Sequence, residues 1–413
     1  MNSDNKIRKV KCRRVFDSRG NPAIEVEIHV SNNIYGRAIS PSGASTGSRE
    51  AIEKRDNDNN YMGKDVKNGL KIIEEKISPL LIGQLCNDQK NFDDILLQFD
   101  NSSQKENIGG NVSSALSIAN YLCASKLSNN NIFKYDTYSE NLKLPRPEIQ
   151  IFGGGAHSGN NKSFQDFLIY PVGEFNLDDF FNNAHSIFYK SKKIIESNNN
   201  FYGYCDEGGL YPNNLNQYQI CDVINQAIVK SNLNPGKDIG ISIDVAATNF
   251  YKNGKYFIYE NILDTQDLDT IYANLISNYN VSMIEDPYNE KDFDSFKKLK
   301  SVSKSAEIIG DDLTCTNLSL LKEAITFNAI DGIIIKINQC GTISETLEVL
   351  KLAKENNLKT ILSARSGDTE DCFLSQLSVA WKVDMIKVGS ITRSERTSKW
   401  NELIRINELL NKN

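Results

Sequence analysis

Histidine is scarce in this chain: His29, His157 and His185 are the three among 413 residues. So few imidazoles give poor support to a zinc centre or a serine–histidine triad. The eight cysteines include no C-x-x-C pair, which reads as free thiols in a reducing cytoplasm. A run of 18 apolar residues is also missing, so no membrane span is expected. The opening "MNSDNKIRKVKC" lacks the apolar core of a signal peptide, which again favours the cytoplasm. There is no excess of positive charge. Lys and Arg total 47 against 53 Asp and Glu, a net charge of -6, and this argues against a general nucleic-acid partner. Asparagine runs at 128–131 and 197–200, both "SNNN", read as turns without a function.

What remains is a composition suited to a globular protein, 39% hydrophobic and 24% charged, in a chain long enough for a large core plus a second module. Residues 7–40 contain the alternating "AIEVEIHV" after the turn-like "DSRGNP", which predicts an antiparallel meander. Helical periodicity follows in "VKNGLKIIEEKISPLL", "DQKNFDDILLQF" and "VSSALSIANYLCASKL". Together these predict a small α+β domain over residues 1–140. "LPRPEIQ" is expected to be a linker, since two prolines oppose a helix. Over 141–413 short apolar strands alternate with helical stretches: "QDFLIYPV", "IGISIDVAA", "VSMIEDP", "AEIIGDD", "DGIIIKIN", "KTILSAR", "DMIKVGS". Their spacing of roughly 25–40 residues is that of βα units in a parallel α/β barrel.

The later strands of this series end on charge: Asp244, Glu285, Asp311, Lys336, Arg365 and Lys387. Singly, each has a bland explanation, because an Asp after a strand caps the next helix and a Lys there is solvated. In a barrel, however, strand ends converge on one face, so these six share a site. Clustered carboxylates repel unless a cation neutralises them, and oxygen ligands select a hard metal such as Mg²⁺. A nearby dication and a second ammonium would lower a lysine's pKa and let it act as a base.

The segments "FDSRGNP", "PSGASTGSREAIEKRD", "DEGGLYPN", "IEDP", "GDDLTCTN", "KINQCGTISET", "RSGDTED" and "RSER" are collinear. In them the chain resembles the enolase family from about residue 12 to 410. The resemblance implies a small α+β domain followed by an enolase-type eight-fold α/β barrel, usually as a homodimer or larger even oligomer. It implies two Mg²⁺ ions. Asp244, Glu285 and Asp311 would hold one, and Ser45 of the "SGASTG" lid would help hold the other, with Gly43 and Gly47 letting the lid move. It implies Lys336 as the base, Lys387 as a stabiliser of the enolate, and Glu207 as the acid, with His157 and Asp166 beside the substrate. Arg365 and Ser366 would grip phosphate, with Gln165 among the substrate contacts. The substrate would be a small phosphorylated hydroxy acid, 2-phosphoglycerate, dehydrated to phosphoenolpyruvate.

Four departures surround the substrate. Ala364 replaces the family's histidine in S-H-R-S-G, and Asp166 replaces the glutamate of Q-E-F, losing about 1.5 Å of reach. Gly153 and Ala156 lose the polar groups of N-G-G-S-H, and "IKVGS" replaces K-T-G-A-P while keeping Lys387. These changes leave open a related phospho- or phosphono-hydroxy acid, as in enolase relatives that handle phosphonates. They also leave open a non-catalytic binding protein, although such decay should strike ligands and lysines too, and those survive.

Overall fold

A computed structural model describes residues 5–128, 131–135, 142–159 and 163–411. The boundary expected between 140 and 141 lies outside these residues, as do Asn129 and Asn130 of the first asparagine run. The meander forms as expected: β1 (Lys9–Phe16), β2 (Pro22–His29) and β3 (Tyr35–Ile39) pair antiparallel in that order. Asp17 closes the first turn, its Oδ1 accepting from the backbone N–H of Arg19 at 2.9 Å and of Asn21 at 2.8 Å. Ile24, Val26 and Ile28 bury the apolar face, which packs on the helix Gly110–Leu127. Contact between that helix and β3 is closest at Gly36, where a Cβ would lie 2.0 Å from the carbonyl oxygen of Ala119.

Beyond the meander the strands are β4 (Arg146–Gly153), β5 (Asp166–Pro171), β6 (Phe201–Tyr204), β7 (Leu210–Pro212), β8 (Ile239–Asp244), β9 (Tyr251–Lys252), β10 (Lys255–Ile258), β11 (Asn261–Leu263), β12 (Val281–Glu285), β13 (Glu307–Gly310), β14 (Gly332–Ile335), β15 (Lys359–Ser363) and β16 (Met385–Gly389). Eight of them close a barrel in the order β4, β5, β8, β12, β13, β14, β15, β16, with β16 pairing back to β4. The protein is therefore a small α+β domain followed by an α/β barrel.

Two sequence expectations are corrected. "LPRPEIQ" is no linker, because Arg146–Gly153 is the first barrel strand. Pro147 sits at its second position, where a missing N–H is tolerated. Nor are the strands all parallel: β5 runs antiparallel to both β4 and β8. A parallel return needs a helical crossover, and among the described residues only the short turn of helix Gly155–Ser158 lies between β4 and β5. The chain therefore doubles straight back. Consequently the start of β5 lies at the rim where the other strands end, and Asp166 stands opposite both Gly153 and Asp244.

Inside the barrel, Met283, Ile309, Ile334, Ile361 and Met385 form an apolar plug. Two residues further along the same strands, and so on the same face, come Glu285, Asp311, Lys336, Ser363 and Lys387. The site is thus one polar layer laid on one apolar layer. The asparagine bias has a structural use. Asn176, Asn216 and Asn317 cap helices through their side-chain oxygens, and Asn199, Asn280 and Asn328 take left-handed backbone.

The two domains are stapled by Asp93. This buried carboxylate accepts from Ser117 Oγ at 2.6 Å in its own domain, and from the N–H (2.9 Å) and Oγ (2.6 Å) of Ser344 on a barrel helix. Asp93→Ala leaves those donors buried without an acceptor. Its expected cost is roughly 2–4 kcal/mol, read as a lower denaturant midpoint, and an unchanged midpoint would reject the staple.

Candidate active site

Each strand end delivers one charged group to the layer above the plug. Lys387 reaches from β16 to Asp244 Oδ2 at 2.9 Å and to Glu285 Oε2 at 2.6 Å. Lys336, just past β14, is ion-paired with Asp311, just past β13. Gln339 Nε2 donates to the other oxygen of Asp311 at 2.9 Å, and Gln165 Nε2 donates to Asp244 Oδ2 at 3.1 Å. All of these side chains are buried. Burial, with the charge of Asp244 added, pushes the Glu285 carboxyl well up. Burial also opposes the charges on Lys387 and Lys336, but the carboxylates beside them prevail and hold both ammonium groups up. Lys336 is thus not depressed in the metal-free arrangement, because Asp311 keeps it charged.

A second cluster forms at the start of β5. His157 Nδ1 lies 2.9 Å from Asp166 Oδ1, and His157 Nε2 lies 3.9 Å from Glu207. Burial pushes the Glu207 carboxyl up, which suits a group that must keep a proton until it gives one away. The shortened Asp166 still meets its partners, since Gln150 reaches across from β4 to bond the same Oδ1. Its Oδ2 is buried with no hydrogen-bond partner. Gly153 is not simply a lost polar group: a Cβ there would lie 2.2 Å from Cys205 Sγ, so the cysteine fills that space.

The loop carrying Ser45 lies across the barrel mouth. Ser42 and Gly367 exchange backbone hydrogen bonds of 2.8 Å, and the Ala44 N–H donates to Ser366 Oγ at 2.7 Å. The N–H of Ser48 donates to Glu290 at 3.0 Å. Gly43 and Gly47, expected to let the lid move, also stand in close approach to their neighbours. Neither has a positive φ, and Cβ atoms there would meet Arg365 Nη2 at 2.0 Å and Cys315 Sγ at 2.6 Å. Arg365 presents its fork to Glu50, at 2.9 and 3.3 Å, and also donates to the carbonyl oxygen of Ser45 at 3.1 Å. Ala364 borders a cavity of about 30 Å³ lined also by Ile39, Ile118 and Phe373, room for roughly one water.

The chemistry of these donors suits a hard dication. The donors are carboxylates, the ammonium groups of Lys387 and Lys336 already hold positive charge against them, and Glu285 Oε1 is buried without a partner. Asp244, Glu285 and Asp311 do not bring their oxygens within 4.8 Å of one another, because Lys387 and Lys336 are seated between them; among the described residues the groups that do converge that closely are Asp286, Asp311 and Asp312, and His157, Asp166 and Glu207. Asp286 is committed to the backbone, accepting from the N–H of Asp311 at 2.9 Å and of Asp312 at 2.6 Å. Burial and the charge of Asp311 push its carboxyl up to about 8.

A barrel that spends one whole rim on matched acids and bases, roofed by a loop from the preceding domain, is built for catalysis around a cation. Which catalysis follows from likeness. Residues 7–135 match the family model "Enolase, N-terminal domain", and residues 141–413 match "Enolase, C-terminal TIM barrel domain". The enolase of Pelagibacter ubique (strain HTCC1062) is 41% identical over 409 residues, covering 98% of both chains. That of Legionella pneumophila (strain Lens) is 40% identical over 407 residues, 98% of this chain and 96% of its own. That of Ehrlichia canis (strain Jake) is 38% identical over 406 residues, with the same coverage. The chain belongs to the enolase family, and it is an enzyme, a lyase of the enolase type.

The sequence reading named the strand-end residues but not their supports. Glu50, Gln150, Gln339 and Arg396 are buried around the site. Arg396 donates to the carbonyl oxygens of Arg365 at 2.7 Å and Val388 at 3.0 Å. Glu50 and Arg396 sit inside quoted motifs, "SREAIEKRD" and "RSER", which was the available signal.

The His157 cluster predicts a pH dependence. Burial opposes charge on the ring, but Asp166 and Glu207 prevail and lift it from 6.5 to about 9. A folded-state value above the unfolded one gives stability that is complete below pH 6.5 and lost as pH rises through 9, about 3 kcal/mol in all. His157→Asn should flatten the fall in denaturation midpoint across that window, and a wild-type slope in the variant would refute the assignment.

Proposed function

We propose that this enzyme dehydrates 2-phosphoglycerate reversibly to phosphoenolpyruvate, with Mg²⁺ as its cation. The observation that carries this reading is the sharing of Asp244, Glu285 and Asp311 with Lys336 and Lys387 in one buried layer. Asp244, Glu285 and Asp311 would hold one Mg²⁺, and Ser45 would contribute to a second. Bound there, Mg²⁺ supplies charge stabilisation for the substrate carboxylate and its enolate.

Lys336 removes the proton beside the carboxylate. Asp311 holds the Lys336 ammonium in place, and a cation engaged by Asp311 would weaken that pull and favour the neutral amine. Lys387 supplies positive charge facing the dianion. Glu207 protonates the departing hydroxide, and its raised carboxyl supports that role. His157 and Asp166 orient the leaving group, with Gln165 beside them. Arg365 grips phosphate by its planar fork, joined by Ser366. We further propose a cytoplasmic enzyme that assembles as a homodimer or larger even oligomer. Among the described residues no helix is long and apolar enough to cross a membrane.

Lys336→Ala is expected to slow solvent exchange of the substrate's carbon-bound proton by roughly 10²–10⁴-fold while circular dichroism stays native. Exchange at the wild-type rate would remove Lys336 from the role of base.

A second substrate, a related phospho- or phosphono-hydroxy acid, is favoured by the cavity at Ala364. A coupled assay decides. Turnover of 2-phosphoglycerate within about tenfold of the Legionella relative's, measured side by side, supports the first reading. Ala364→His should raise that turnover if the missing ring limits it, by up to about a hundredfold. A fall in turnover of 2-phosphoglycerate with an unchanged Tm would favour the related substrate, whereas a fall with a lowered Tm would mark overpacking by the ring.

A further inference from the structure

Glu148 has no part in the chemistry above, yet it is 0% exposed inside the barrel. Neither of its carboxylate oxygens has a hydrogen-bond partner. The groups that favour its charge are the Lys387 ammonium, the Ser242 hydroxyl and Lys359, and Asp244 opposes it. The Ser242 Oγ is itself buried without a partner in good geometry. A carboxyl sealed in this way lowers stability, and an apolar residue would extend the plug of Met283, Ile309, Ile334, Ile361 and Met385 without that loss.

What sets Glu148 apart is its register. It is the ladder partner of Lys387 across the β4–β16 seam that closes the barrel, so the two side chains stand next to each other on the inner face. Lys387 now bonds Asp244 and Glu285, the same two carboxylates assigned to the cation. A dication placed on those oxygens would take the partners of the ammonium and also repel it. The ammonium then needs an anion the dication does not claim.

We propose that Glu148 is the reserve partner of Lys387. It is a positioning residue that receives the ammonium when Asp244 and Glu285 turn to the cation, so that dication and ammonium coexist in one buried layer. The proposal rests on the assignment of Asp244 and Glu285 to the metal.

Calorimetric titration of the wild-type protein with Mg²⁺ tests that assignment first, and absence of binding there would sink the assignment and this proposal with it. Given wild-type binding, Glu148→Met is expected to weaken Mg²⁺ binding by about tenfold or more. It should also lower kcat by about tenfold with KM nearly unchanged. The metal-free Tm of Glu148→Met should equal or exceed that of the wild type, because an unpaired buried acid is gone. The near-isosteric Glu148→Gln should show the same defects more mildly, and Glu148→Asp should recover part of the metal affinity. Mg²⁺ affinity and kcat within about twofold of wild type in both Glu148→Met and Glu148→Gln would overturn the proposal. So would a lowered metal-free Tm with unchanged affinity, which marks a purely structural residue.

Discussion

Charge can be buried at the mouth of this barrel only because acids and bases arrive there together. Lys387 lies between Asp244 and Glu285, Lys336 lies against Asp311, and Arg365 lies against Glu50. Remove one member, and its partner is left uncompensated in a low-dielectric layer, a loss of several kcal/mol. The rest of the structure serves this balance. The apolar plug gives the charged layer its floor, the strand ends fix the spacing of its members, and the loop from the first domain supplies Glu50 and closes the roof. Acids outnumber bases in this layer, with Lys387 alone facing both Asp244 and Glu285, and Glu285 Oε1 and Asp166 Oδ2 remain buried and unpartnered. Those are the atoms a cation or a substrate would satisfy.

The reversed second strand matters as much as the charges do. Were β5 parallel, Asp166 would lie at the closed end of the barrel, far from Asp244. Because it is antiparallel, its first residue reaches the rim and brings His157 with it, and Glu207 joins from the turn between β6 and β7. The unusual residues of this corner fit one another: Gly153 makes room for Cys205, Cys205 and the Gly209 N–H both donate to Gln150 Oε1, and Gln150 reaches the short Asp166. That is coordinated repacking around a retained acid, not scattered loss.

The sequence made some of this plain and concealed the rest for identifiable reasons. Strands β8 to β16 of the barrel were legible because burial on both faces leaves unbroken apolar runs, and the first charge after each run marks the rim. β4 was hidden because Glu148 and Gln150 point inward and Pro147 lies near its start, so a central strand reads as a polar connector. The direction of β5 was hidden because alternation along a strand carries no information about its neighbour's polarity. Glu50 and Arg396 look like surface charges in the sequence, and only burial against Arg365 reveals them as supports. The two lid glycines were read for mobility, and the close approach of their backbone to Arg365 and Cys315 was not foreseen.

The lid and the anion-binding arginine are one device. Arg365 engages Glu50 with both arms of its fork, in the geometry that a phosphate would also use. Glu50 lies on the same loop as Ser45, whose carbonyl oxygen Arg365 also holds. Glu50 keeps a second tie to Gln339, at 3.2 Å, and Gln339 in turn bonds Asp311. Arg365, Glu50, Gln339 and Asp311 are thus joined by three consecutive polar contacts, which tie the loop that roofs the barrel to the charged layer beneath it.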